Sequence, residues 1–122
     1  MRATVLLVDS DLGFVFWLGH TLDFAGYCAI PAKSTVTATE LVKYHNVTAD
    51  ILIIDPLLPG VMPFISALRN RKPIKVIGSV DVERREYMHT SDFDLIRARP
   101  KVFTDSACAQ WMESVESLLL VL

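Results

Sequence analysis

The chain has 122 residues, a length that suits one domain with a single core and is too short for two. With 52% hydrophobic and 21% charged residues it is too apolar to remain disordered. A net charge of -2 with Lys, Arg, Asp and Glu intermixed leaves no basic stripe for nucleic acid. Cys28 and Cys108 stand far apart, and three scattered histidines make no metal spacing, as expected of reduced thiols in a cytoplasmic protein. The chain reads directly into a strand, shows no signal-peptide pattern and contains no apolar run approaching the roughly 20 residues of a membrane helix. A soluble protein with no membrane partner is expected.

In chain order, residues 4–8 form a continuous aliphatic run ending in Asp9, Ser10 and Asp11, the pattern of a strand buried on both faces. Residues 12–25 carry apolar side chains at helical spacing, with Gly26 at the expected left-handed exit. A short strand over 27–31 and a helix over 34–45 follow, the latter with Val36, Leu41 and Val42 inward. The third strand, 51–54, is four aliphatic residues running into Asp55, after which Pro56, Pro59 and Gly60 mark a loop. A helix over 62–71 with Phe64, Ile65 and Leu68 inside stops at Pro73, and 74–77 makes a fourth strand ending at Gly78 and Ser79. A polar helix over 82–90, a fifth strand over 93–96 and a last helix over 105–119, striped by Ala107, Trp111, Val115 and Leu118, complete the series. Trp17 and Trp111 are read as core residues.

Such alternation, with aliphatic rather than two-faced strands, predicts a doubly wound parallel α/β sheet with helices on both faces. Ligands of these sheets sit beyond the carboxyl ends of the strands, where Asp9, Asp55 and Ser79 all fall. Two carboxylates at the ends of separate strands can share a hard cation such as Mg2+.

The run Val8, Asp9, Ser10, Asp11, the run from Ile54 and Asp55 to Pro59 and Gly60, then Ser79, and finally Arg99 with Pro100 resemble, in order and spacing, a response-regulator receiver domain. The resemblance covers residues 1–122 as one domain without an output domain. It implies a flavodoxin-like five-stranded sheet of order 2-1-3-4-5. It also implies a module that accepts a phosphoryl group from a histidine kinase, phosphotransfer protein or small phosphodonor and slowly loses it, rather than an enzyme. Residue by residue, Asp55 matches the phosphoacceptor and Asp9 one of the acidic pair that holds Mg2+, with the Leu57 carbonyl a further ligand. Ser79 matches the hydroxyl that turns toward the phosphoryl group, although Gly78 could take that slot. Arg99 stands where the family has lysine, and it reads either as a pocket cation or as a solvated arginine before Pro100. Its planar fork is not equivalent to an ammonium.

Ser10 replaces the second acid, so weakened Mg2+ binding is expected. Asp11 either substitutes for that acid or caps the first helix. Pro63 stands where glycine is frequent, and Ile96 where an aromatic switch residue is common. Two functions therefore stand side by side: a phosphoacceptor receiver working at Asp55 with Mg2+, or a degenerate receiver acting as a phosphorylation-independent interaction module. Aligning Gly26 with the family's helix exit implies that Phe14, Trp17, Leu18, Leu22 and Ala25 face the sheet and that Val15, Phe16 and Phe24 face outward. The apolar end of the chain and these outward phenylalanines further predict a homodimer or partner-docking face on the first and fifth helices, through Phe16, Phe24 and Leu119.

Overall fold

A computed structural model describes residues 3–81 and 92–120. Its elements, in order, are β1 (Thr4–Val8), α1 (Leu12–Phe24), β2 (Cys28–Ala32), α2 (Thr35–Tyr44), β3 (Ile51–Ile54), α3 (Val61–Arg71), β4 (Lys75–Val80), β5 (Leu95–Ala98) and α4 (Asp105–Leu119). The helix expected over 82–90 lies outside the described residues. The five strands pair in parallel in the order β2-β1-β3-β4-β5, the doubly wound, flavodoxin-like sheet expected.

Alternate residues of the central strands supply two separate cores, as the two-residue period of a strand requires. Val5 and Leu7 of β1 and Ile51 and Ile53 of β3 face Phe14, Leu18 and Leu22 of α1 and Trp111 and Val115 of α4. Leu6, Val8, Leu52 and Ile54 face Ala38 and Val42 of α2 and Phe64, Ile65 and Leu68 of α3. The Phe14 and Trp111 rings, 5.1 Å apart, join α1 to α4.

Each helix start is fixed locally. The Asp11, Ser34 and Thr104 side chains accept from the backbone N–H groups of Phe14, Thr37 and Ala107, so Asp11 is the cap of α1. Gly60, at φ 77°, turns the chain into α3 in a left-handed conformation. Thr35 Oγ1 donates to the Pro59 carbonyl at 2.6 Å, tying the start of α2 to the loop after β3.

Several expectations need correction. Val15 is buried, not outward: α1 is apolar nearly all round, so its pattern leaves the rotational phase open. Val36 is 67% exposed, because Thr35, Ala38 and Val42 form the inner face of α2. Strand β2 starts at Cys28 rather than 27, since the Tyr27 N–H still bonds the Leu22 carbonyl and closes the end of α1. Strand β5 spans 95–98 rather than 93–96. Asp94 comes first, its carboxylate accepting from the Val76 N–H and its own N–H bonding the Val76 carbonyl, both at 2.8 Å. Trp17 is only half-buried and stacks on Phe103, ring centroids 4.8 Å apart. Leu119, expected on an exposed face, packs with Leu118 against the core.

Candidate functional site

Sheet register builds the site. Val8 pairs with Ile54, Ile54 with Gly78, and Ser79 with Arg97. The residues one step beyond β1 and β3 are Asp9 and Asp55, so both come to the same edge as Ser79. The backbone hydrogen bonds continue past the strands, from Asp9 N–H to the Ala32 carbonyl and from Asp55 N–H to the Val8 carbonyl. Arg99 is held one residue past β5 by its N–H on the Val80 carbonyl.

Gly78 and Ser79 are distinguished by the opposite faces of β4. A Cβ on Gly78 would stand 2.7 Å from Ile96 Cδ1 and 3.2 Å from Pro56 Cγ, so its side is filled by packing. Ser79, fully buried, points its hydroxyl to the other side and donates to Asp9 Oδ2 at 2.9 Å. Ile96 is part of that packing.

Asp9 is 2% exposed and has both oxygens engaged. Oδ1 accepts from the Asp11 N–H at 2.9 Å, and Oδ2 accepts from Ser79 Oγ and from Arg99 Nη1 at 3.1 Å. Burial pushes its carboxyl above the usual carboxylate range; the Asp11 N–H, the Arg99 charge and the Ser79 hydroxyl pull the other way, and the Asp55 charge adds to the rise.

Arg99 is the hub of the cluster. Its side chain is 16% exposed, and Nη1 donates to the Ser79 carbonyl at 2.8 Å as well as to Asp9. The same nitrogen is 3.8 Å from Asp55 Oδ2, and Nε is 3.9 Å from Asp11 Oδ2. Asp55 Oδ1 accepts from the Leu57 N–H at 2.9 Å, which leaves Oδ2 facing the guanidinium beyond hydrogen-bond distance. All of Asp9, Asp11, Asp55, Ser79 and Arg99 thus converge, with Leu57 at the rim.

Mg2+ takes oxygen ligands in near-ideal octahedral geometry and dehydrates reluctantly. Against that demand, Ser10 is exposed and offers a neutral hydroxyl, Asp11 has Oδ1 on its helix cap and Oδ2 toward Arg99, and both Asp9 oxygens already carry donors. Among the described residues, no group of three or more histidine, cysteine or carboxylate side chains is arranged to hold a metal ion. The residues present fit Mg2+ poorly.

The residues around Arg99, up to 90 positions away, are those the resemblance groups with it, but the Trp17 stack on Phe103 has no counterpart in the sequence reading. The only local signal for Phe103 is an aromatic residue just before the Thr104 cap.

The doubly wound sheet carries acids, a hydroxyl and a cation on its carboxyl edge, and solved structures share its fold. Response regulator TrrA of Thermotoga maritima, solved in complex with Mg2+-BeF, is 21% identical, with a TM-score of 0.71 over 96% of this chain and 99% of that one. The receiver domain of TorR, a response regulator of the TMAO respiratory system, is 19% identical, with a TM-score of 0.75 over 98% of each chain. A CheY-like receiver domain protein from Methanospirillum hungatei is 17% identical, with a TM-score of 0.74 over 98% of this chain and 94% of that one. No protein-family profile and no curated protein sequence matches the chain. The chain has the fold of a response-regulator receiver domain.

Proposed function

We propose that this chain is a receiver of a two-component signalling system, in which Asp55 accepts a phosphoryl group from a histidine kinase, a phosphotransfer protein or a small phosphodonor. The observation supporting this is that Asp55 Oδ2 stands at the carboxyl edge of the sheet, free of the hydrogen bond that anchors Oδ1 and 3.8 Å from the Arg99 guanidinium. In the transfer, a lone pair on Asp55 Oδ2 forms the new P–O bond. The P–N bond to the donor imidazole breaks, and its electron pair returns to the nitrogen. Arg99 offsets charge on the phosphoryl oxygens, and the Ser79 hydroxyl is the donor that can turn to them from Asp9. The domain accepts and loses the group; it turns over no substrate of its own. A kinase partner of this kind places the chain in the cytoplasm, and no described helix is long and apolar enough to cross a membrane.

A second reading, a phosphorylation-independent interaction module, is favoured by Ser10 and by the hydrogen bonds that seat Arg99 among the carboxylates. Phe16 and Phe24, 66% and 90% exposed on α1 beside α4, are the proposed homodimer or partner face in either case. Mass spectrometry after acetyl phosphate or phosphoramidate treatment separates the readings. The first requires an acid-labile phosphoryl increment, also cleaved by base and by hydroxylamine as an acyl phosphate is, that Asp55→Asn abolishes; no increment in the parent protein selects the second.

A further inference from the structure

We infer that the guanidinium of Arg99 takes the place of the divalent cation in this pocket, so that the carboxylates are held together without metal. The inference rests on reading this edge as a receiver pocket, and it concerns what balances the pocket's charge, whether or not Asp55 is phosphorylated. Three observations converge. Arg99 Nη1 sits between two carboxylates, hydrogen-bonded to Asp9 Oδ2 at 3.1 Å and 3.8 Å from Asp55 Oδ2, while Nε faces Asp11 Oδ2 at 3.9 Å. The head is fixed rather than drifting, because the same Nη1 donates to the buried Ser79 carbonyl at 2.8 Å. The oxygens that a metal would need are already engaged, absent or turned to the guanidinium: Asp9 has donors on both, residue 10 is a serine, and the Oδ2 atoms of Asp55 and Asp11 face Arg99.

The two departures at residues 10 and 99 then have one cause. A cation bound between Asp9 and Asp55 would lie against a positive guanidinium, so losing an acid and gaining a forked cation are compensating changes. A flexible ammonium can withdraw when a metal arrives, but a planar head seated on a backbone carbonyl and a buried carboxylate cannot do so without breaking both bonds.

The test is thermal unfolding of the purified chain in EDTA and in about 10 mM Mg2+, a concentration at which a site with a dissociation constant near 1 mM raises Tm by about 5 °C. The parent is expected to show no rise beyond about 1 °C on that scale. The double variant Ser10→Asp, Arg99→Lys is expected to gain a Mg2+-dependent rise of several degrees. A parent protein stabilised by Mg2+ as strongly as the double variant overturns the inference. Should the variant fail to fold, calorimetric titration of the folded parent with Mg2+ decides the matter by itself: measurable binding refutes, and none supports. Neither measurement involves a phosphodonor, so failure here is distinct from failure of Asp55 to be phosphorylated.

Discussion

Replacing Ser79 with alanine removes one oxygen from a fully buried site and takes from Asp9 a hydrogen bond of 2.9 Å. A hydrogen bond to a charged group contributes about 1.5–3 kcal/mol, and alanine adds no bulk to β4, so the loss near neutral pH should be about 2 kcal/mol. With an m value of about 2 kcal/mol/M, the urea midpoint falls by about 1 M. The loss should depend on pH. Asp9 already has a folded-state pKa raised above its unfolded value, mainly by burial, so the stability linked to its protonation is complete at low pH and is lost as pH rises through the folded pKa. Removing a donor to the anion raises that pKa further. Ser79→Ala should therefore cost most at pH values above the carboxylate range and less once Asp9 is protonated. Urea titrations in mild acid and at neutral pH measure this. Ser114→Ala is the control, because its buried hydroxyl donates to the Gln110 carbonyl one turn back in α4 and meets no charge. An equal loss at both pH values, or a midpoint unchanged at neutral pH, would refute the pairing of this hydroxyl with the Asp9 anion.

Other outcomes follow from single features. Gly60→Ala should lower stability by about 1–2 kcal/mol, read from the urea midpoint, since it puts a side chain at φ 77° with its Cβ 3.2 Å from Thr35 Oγ1. Asp50 has its carboxyl held below the usual range: burial raises it, but the Lys72 hydrogen bond at 2.8 Å, the Thr4 N–H and the Lys72 charge together outweigh that. Its stabilisation is present above the unfolded pKa and lost as pH falls through the lower folded one, so Lys72→Met should flatten the acid limb of the stability curve below about pH 4. Phe16→Glu with Phe24→Glu should abolish any self-association seen by sedimentation without lowering Tm, because both rings are exposed; a parent that stays monomeric and binds nothing through this face refutes the surface.

The strand ends were the most legible part of the molecule. Residues 4–8 and 51–54 are uninterrupted aliphatic runs because both faces of β1 and β3 are covered, and each ends at the carboxylate that register then brings into the pocket. Which of Gly78 and Ser79 takes the slot facing Asp9 was open in sequence, since either could end a strand; Gly78 faces Ile96 and Pro56, and the Ser79 hydroxyl reaches Asp9. The phase of α1 was not legible, because a helix apolar on most sides has no single preferred stripe, and Val15 went inward. The start of β5 was not legible either. Asp94 looks like a strand residue among Phe93 and Leu95, yet its side chain takes over a backbone bond of β4. Arg99 announced itself by the proline after it, but its role as hub depends on Asp9 and Ser79, which only the folded sheet brings near.

Strand β2 is one edge of the sheet, and Pro31 sits in it opposite Leu7. A proline has no amide hydrogen, and an edge strand is where a sheet tolerates that loss. The row of donors on this border is therefore broken at its fourth residue, and an incoming extended segment cannot continue the ladder past that point. Proline on an open border is one of the devices that prevents chains from joining edge to edge into fibrils. Whatever assembly this domain enters, helical faces are the better route to it than lateral growth of the sheet across β2.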